Sequence, residues 1–231
     1  MVVRVREIIE LLKGETAVIY GQPMVGKTLS TAVIAKILHD ETGKPAFFIW
    51  SDANLLGSYG KFLEKLSGAV TKYVDKPTVL HSIVRSIKGE MEREEKYSMV
   101  VVDSITGFQE EIMAKEGIDS PRTGLLLGRL SQMIARELRE MSAKHGIPTI
   151  MIAHQTSIFK PDSPSLGTFA GKTRKPTIVQ RALRNVTLLI YMTIDPKSNK
   201  PIWEIEDIRS SEDKVSKYPK GTQLTLELKV R

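Results

Sequence analysis

Eight consecutive residues constrain this chain more than any others: Gly21-Gln-Pro-Met-Val-Gly26-Lys27-Thr28 fits the pattern G-x-x-x-x-G-K-[ST]. The pattern follows an apolar run, Ala17 to Tyr20, and opens a stretch of helical spacing from Thr28 to Asp40. That strand–loop–helix setting is the one in which the pattern has meaning. Loop N–H groups and the positive end of the helix dipole converge there, so the loop is shaped for the phosphates of a nucleotide. Gly21, Gln22, Pro23, Met24, Val25, Gly26, Lys27, Thr28 and Leu29 are the candidate nucleotide-binding residues. Lys27 is placed to neutralise the β- and γ-phosphate oxygens and Thr28 to hold Mg²⁺, which makes ATP with Mg²⁺ the expected ligand pair.

A strand before such a loop lies in a parallel sheet, and the rest of the chain agrees. Short apolar runs (Ala46 to Trp50, Met99 to Val102, Thr149 to Ala153) alternate with helical patterns (Tyr59 to Leu66, Leu80 to Glu95, Pro121 to His145). This is the grammar of βαβ units. After Thr177 the pattern changes: Val186 to Thr193, Ile202 to Ile208 and Gln223 to Val230 alternate at period two, as antiparallel strands do. The expected fold is α/β, one domain over residues 1–231, with a mostly parallel twisted sheet flanked by helices and antiparallel strands on the C-terminal side.

Composition narrows the function classes. Cysteine is absent, which excludes disulfides, thiolate chemistry and cysteine-built zinc sites. The four histidines are too far apart in sequence for a short-spaced metal motif. No apolar run reaches the roughly 18–20 residues that span a bilayer, and Met1 to Arg6 has no secretory core, so a cytoplasmic protein without membrane contact is expected. The net charge of +7 points toward a polyanionic partner. From Thr156 to Arg184, six basic residues (Lys160, Lys172, Arg174, Lys175, Arg181, Arg184) face one acid, Asp162. Within that segment, Thr156 to Thr177 is rich in Pro, Gly, Ser and Thr and lacks periodicity, and long loops of this kind are usually functional.

Asp103 ends the run Met99-Val-Val-Val-Asp103-Ser104. A carboxylate leaving a parallel strand beside a phosphate loop is suited to Mg²⁺, directly or through water. A GTPase is disfavoured, because no glycine stands three residues beyond Asp103 and no Asn-Lys-x-Asp motif appears.

With the phosphate loop, Val101-Val-Asp-Ser104 and Lys144-His-Gly-Ile-Pro-Thr-Ile-Met-Ile-Ala-His-Gln155 in view, the chain resembles the RecA-fold recombinase superfamily. The likeness runs from Gly14 to about Asp213. It is strongest to archaeal recombinase paralogues of the RadB and RadC type, with KaiC-type ATPases second. The resemblance implies a RecA-like ATPase core. It implies that Gln155, at the end of the fourth apolar strand, senses the γ-phosphate and passes the signal to a DNA loop. It places Asp52 where relatives carry a glutamate that orients the attacking water. Aspartate keeps that charge and stops one methylene short. The resemblance makes the segment after Gln155 the second DNA-binding loop, with Lys160, Lys172, Arg174 and Lys175 on phosphates and Phe159 and Phe169 stacked on bases.

The family's first DNA loop would lie between Thr106 and Ser120, where this sequence is acidic. Asp207-Ile-Arg209-Ser-Ser211 resembles the segment from which KaiC-type ATPases send an arginine into the next subunit's ATP site, which would leave ATP at the interfaces of a homo-oligomer. No helix–hairpin–helix domain or aromatic linker precedes the phosphate loop, so a long filament is not expected.

The leading reading is a slow ATPase (Lys27, Asp52, Gln155 and Arg209 catalytic; Thr28 and Asp103 on the metal) that binds DNA, single strands preferred, and assists a main recombinase in recombination and repair. A KaiC-like regulatory ATPase acting on proteins, and a nucleotide-gated mediator that hardly turns over ATP, stand as alternatives.

Overall fold

The computed structural model of the chain describes residues 2–3, 5–51, 53–117, 121–157, 174–178 and 180–226. Its central strand, β2 (Thr16–Gly21), is buried at every residue. Alternation along it feeds two cores: Ala17 and Ile19 face one, Val18 and Tyr20 the other. A strand apolar on both faces needs helices on both sides of its sheet, and the chain supplies them. The first core is closed by α1 (Val5–Leu12), α2 (Lys27–Thr42) and α3 (Ser58–Ser67). The second is closed by α4 (Pro77–Glu94), α5 (Ile105–Glu116) and α6 (Pro121–His145).

The remaining strands are β1 (Val2–Val3), β3 (Ala46–Trp50), β4 (Val70–Tyr73), β5 (Met99–Asp103), β6 (Thr149–Ser157), β7 (Arg174–Pro176), β8 (Leu188–Ile194), β9 (Pro201–Ile208) and β10 (Gln223–Leu226). The sheet order is β1-β10-β9-β8-β2-β6-β5-β3-β4, with β7 paired to β6 off that path. From β8 through β4 every neighbouring pair is parallel, while β9 runs antiparallel to both β8 and β10. The mostly parallel α/β sheet with antiparallel strands on the C-terminal side is the fold expected from the sequence.

The two ends of the described chain meet. Val2 and Val3 pair in parallel with Thr225 and Leu226. The carbonyls ending α1 are held by α7 (Glu212–Lys217), where Lys214 Nζ donates to the carbonyls of Leu11 and Lys13 at 3.2 and 2.6 Å. Just beyond, Tyr218 Oη donates to the Glu7 carbonyl at 3.2 Å.

The sequence reading lacks β1, α7 and β7, the last inside the stretch Thr156 to Thr177 read as a loop. Three further elements differ from that reading. Strand β4 is absent from it because β4 is an edge strand with only half-buried and exposed positions, so its apolar signal is weak. Helix α1 also goes unread. The third is a correction: the stretch expected to be a first DNA loop, Thr106 to Ser120, is helix α5 through Glu116, and residues 118–120 lie outside the described residues. Ser104 starts that helix as its N-cap, its Oγ accepting from the Gly107 N–H at 3.1 Å.

Burial grades the expected cost of mutation. Ile150 is fully buried between β2 and β5, so Ile150→Ala is expected to cost about 2–5 kcal/mol in urea unfolding. Val70 on the edge is 41% exposed, and Val70→Ala is expected to cost less than about 1 kcal/mol.

Candidate nucleotide site

The phosphate loop leaves β2 at Gly21, and the register there admits no side chain. A Cβ on Gly21 would sit 2.2 Å from the Met192 carbonyl of β8. The loop then turns through Met24, at φ 64°, and Gly26, at φ 87°, the second a conformation that glycine adopts without strain. Gly26 is the N-cap of α2, so the amides opening that helix face the loop interior.

Lys27 folds back over this loop. Its Nζ donates to the carbonyls of Gly21 and Gln22 at 3.1 and 2.7 Å. The residue is only 6% exposed, and burial pulls its amine down to about 8, with the Asp103 charge pulling the other way. A cation held this way is poised for an anion: polyphosphate would supply the countercharge that two carbonyls and one nearby carboxylate supply only in part.

Asp103 is 4% exposed at the C-terminal end of β5. Its carbonyl accepts from the Ser51 N–H at 2.9 Å, and Ser51 Oγ ties to the following residue, donating to the Ser104 carbonyl at 2.9 Å. These bonds fix the ends of β3 and β5 side by side.

A cavity of about 470 Å³ opens over this edge, within the roughly 300–1,000 Å³ range of small-molecule sites. Pro23, Met24, Gly26, Lys27, Thr28, Asp103 and Ser104 line it, together with Leu55, Tyr59, Ile152 and His154. The structure therefore gathers Lys27, Thr28 and Asp103 around one space. Thr28 Oγ1 and the Asp103 carboxylate are hard oxygen donors of the kind Mg²⁺ takes. Of the other loop residues, Gly21 and Gln22 hold Lys27, whereas Val25 and Leu29 pack on the first core.

Five cavity residues were not among the expected site residues: Leu55, Tyr59, Ser104, Ile152 and His154. Tyr59 stacks on Phe62 with ring centres 6.4 Å apart, and burial together with the Asp103 charge pushes its hydroxyl up from its ordinary value. No motif marks Leu55 or Tyr59, which come from just before and at the start of α3; Ser104, Ile152 and His154 lie within the passages that carry the resemblance, with no role assigned to them. Ile152 and His154 line the cavity from β6, and Gln155, next along the strand, does not. Its Oε1 is buried with no hydrogen-bond partner among the described residues. The His154 N–H is instead held by Thr106 Oγ1 at 2.9 Å, and the His154 carbonyl by the Thr177 N–H at 2.7 Å.

Asp52, Phe159, Lys160, Phe169 and Lys172 lie outside the described residues. Lys175 sits on β7, paired with Thr156. Arg174 departs from the expectation of a phosphate contact. Its guanidinium is engaged by Glu204 at 2.9 Å and Glu206 at 3.3 Å. Arg209 is not part of this cavity: its N–H donates to the Thr187 carbonyl beside Thr16, at the opposite end of β2, and its guanidinium pairs with Asp207 at 2.7 Å. A second cavity, of about 270 Å³, lies at that opposite pole near Lys13, Lys44 and His145 and holds none of the expected site residues.

No family model matches the chain, and no curated protein matches it. Solved structures do: 577 chains match. One is the crystal structure of the RadB recombinase, which aligns over 93% of this chain and 87% of its own with a TM-score of 0.62 and 18% identity. The likeness is one of fold: this chain shares the α/β architecture of that structure.

The buried cation sets a pH signature. Between about 8 and the ordinary 10.5 the unfolded chain holds more protons than the folded one, so folding gains stability as pH rises through that window. Below it, the charged Lys27 costs on the order of 3 kcal/mol. Ligand-free Lys27→Met is thus expected to be more stable than the native chain at pH 7, with the gap closing toward pH 10.5. Urea unfolding of both proteins across that range checks it.

Proposed function

We propose that this chain is an ATP-binding, slowly hydrolysing, DNA-binding accessory protein of homologous recombination and DNA repair. One observation carries the reading: a buried, partly compensated lysine faces Asp103 across a cavity at the mouth of a phosphate loop, in a RecA-like recombinase fold. Loop amides and Lys27 hold the phosphates, Thr28 and Asp103 hold Mg²⁺, and Tyr59 and Leu55 wall the other side. Bound Mg²⁺ supplies charge neutralisation between phosphate oxygens. Asp52 orients water at the γ-phosphate, and its short side chain keeps turnover slow. His154 and Gln155 open the route from this site to the segment beyond β6, where Lys160, Lys172 and Lys175 meet phosphates and Phe159 and Phe169 stack on bases of single-stranded DNA.

Arg209 serves a neighbouring subunit in this reading. The length of β2 separates it from its own site, so its charge reaches a nucleotide only across a homo-oligomer interface. The protein is cytoplasmic in this reading. Among the described residues no helix is long and apolar enough to cross a membrane.

A second reading has one observation in its favour: α5 presents Glu110 on the surface where a DNA loop was expected. A regulatory ATPase acting on a protein partner, such as the main recombinase, would use that acidic helix.

Thermal shift with ATP and Mg²⁺ is expected to stabilise the native chain and leave Lys27→Ala unmoved; equal shifts would remove the phosphate assignment. Replacing Lys160, Lys172 and Lys175 by alanine is expected to flatten the salt dependence of single-strand binding by about 0.7 per lost phosphate contact. Absence of any salt-dependent DNA binding would favour the second reading.

Turnover is expected to rise with protein concentration, to increase in Asp52→Glu, and to fall in Arg209→Ala with ATP affinity unchanged. An arginine supplied in trans is worth roughly 10³–10⁵ in rate where it acts. Fast hydrolysis independent of concentration would exclude the assembly mechanism.

A further inference from the structure

Arg174 begins the short strand by which the chain returns after residue 173. Among the described residues, strand β7 pairs only with the end of β6, through Ser157↔Arg174, Thr156↔Lys175 and Gln155↔Pro176. Three residues of pairing hold a strand weakly, and the side chain of Arg174 adds a stronger tie. Its Nη2 donates to Glu204 Oε2 at 2.9 Å and its Nε to Glu206 Oε1 at 3.3 Å. The guanidinium lies over the Tyr191 ring, its carbon 3.5 Å from the ring centre. The arginine is thus gripped by two carboxylates of β9 and an aromatic face of β8.

The grip continues into the nucleotide site. Glu206 is only 3% exposed, and its other oxygen, Oε2, accepts from Tyr20 Oη at 2.5 Å. Tyr20 also packs on Tyr191, with ring centres 5.3 Å apart. It is the residue immediately before Gly21, where the phosphate loop starts and where the Met192 carbonyl leaves no room for a side chain. A contiguous chain of contacts therefore runs from β7 through Arg174, Glu206 and Tyr20 to the root of the phosphate loop. Transferring Arg174 to a nucleic-acid phosphate would give up both carboxylate pairs and the contact with the Tyr191 ring.

We propose that Arg174 is a positioning residue: it clamps β7 onto β8 and β9 and, through Glu206, onto Tyr20 of the strand that feeds the phosphate loop, so that the seating of Tyr20 and nucleotide affinity are set together. The proposal rests on the reading of the cavity as a nucleotide site.

The test uses the full chain with Mg²⁺ and a fluorescent ATP analogue, in the absence of nucleic acid. Arg174→Met is expected to weaken the analogue about tenfold or more, within the usual span of coupling between sites. Tyr20→Phe removes only the hydroxyl that joins Glu206 to β2, and is expected to weaken it roughly threefold while keeping the fold. Pairing Arg174→Met with Glu206→Gln also neutralises the carboxylate that has lost its guanidinium, and is expected to recover affinity to within about threefold of native.

Lys88→Met is the control: it breaks the 2.8 Å pair with the buried Glu137, between α4 and α6 and outside the cavity lining. It is expected to lower the unfolding midpoint and leave affinity within about twofold. The clamp is overturned if the native chain binds the analogue and Arg174→Met and Tyr20→Phe bind it equally well. It is also overturned if Lys88→Met weakens binding as much as Arg174→Met, or if the Glu206→Gln pairing recovers nothing. A native chain that binds no analogue at all is a different failure, since it removes the nucleotide site itself and the clamp with it.

Discussion

Complete burial of β2 is the constraint on which the other features depend. A strand with water on neither face needs partners on both edges and helices on both sides, and β6, β8 and the two helical layers meet that need. Its C-terminal end then has one way out, over the edge of the sheet, between the ends of β6 and β8. The close approach of Met192 to Gly21 follows from that crowding, and so does the sharp departure of the loop. The phosphate loop is thus less a flexible appendage than the forced exit of a strand buried at every residue.

The same crowding explains the electrostatics. Lys27 sits where the first turn of α2 meets the strand ends, so its amine is dehydrated before any ligand arrives. Loop carbonyls and Asp103 stabilise it only in part, which is why its proton is held less tightly than usual. Stability is sacrificed locally to keep a cation ready, a common arrangement where binding is the purpose.

How much of this was legible in the sequence depended on range. The phosphate loop and Asp103 were readable because their signals are local: a glycine-bearing turn between strand and helix, and a carboxylate ending an apolar run. Strands β3, β5 and β6 were readable as continuous apolar runs for the same reason. Edge strand β4 was not, since half-exposed Val70 to Tyr73 carry no such run. Helix α5 was obscured by an expectation drawn from resemblance, although Ser104 is of the residue type that caps helix N-termini. Tyr59 and His154 enter the cavity only through tertiary placement. The pairing of Arg174 with Glu204 and Glu206 joins residues thirty or so apart across β7 and β9, and a basic, proline-rich stretch gives no hint that one of its arginines is already matched.

The meeting of α1 with the far end of the chain has a bearing on synthesis. Ile8, Leu11 and Leu12 are completely buried in a core that also contains Trp203, Tyr218 and Leu224. Those partners are made about two hundred residues later. At roughly 5–20 residues per second, the apolar face of α1 waits some 10–40 s on the ribosome for its cover. The parallel P-loop half of the sheet can form meanwhile, because β2 through β6 are complete by Ser157. Folding therefore finishes where it began, with the first helix among the last elements to be sealed, and the interval before that is when a growing chain would most need shielding from its neighbours.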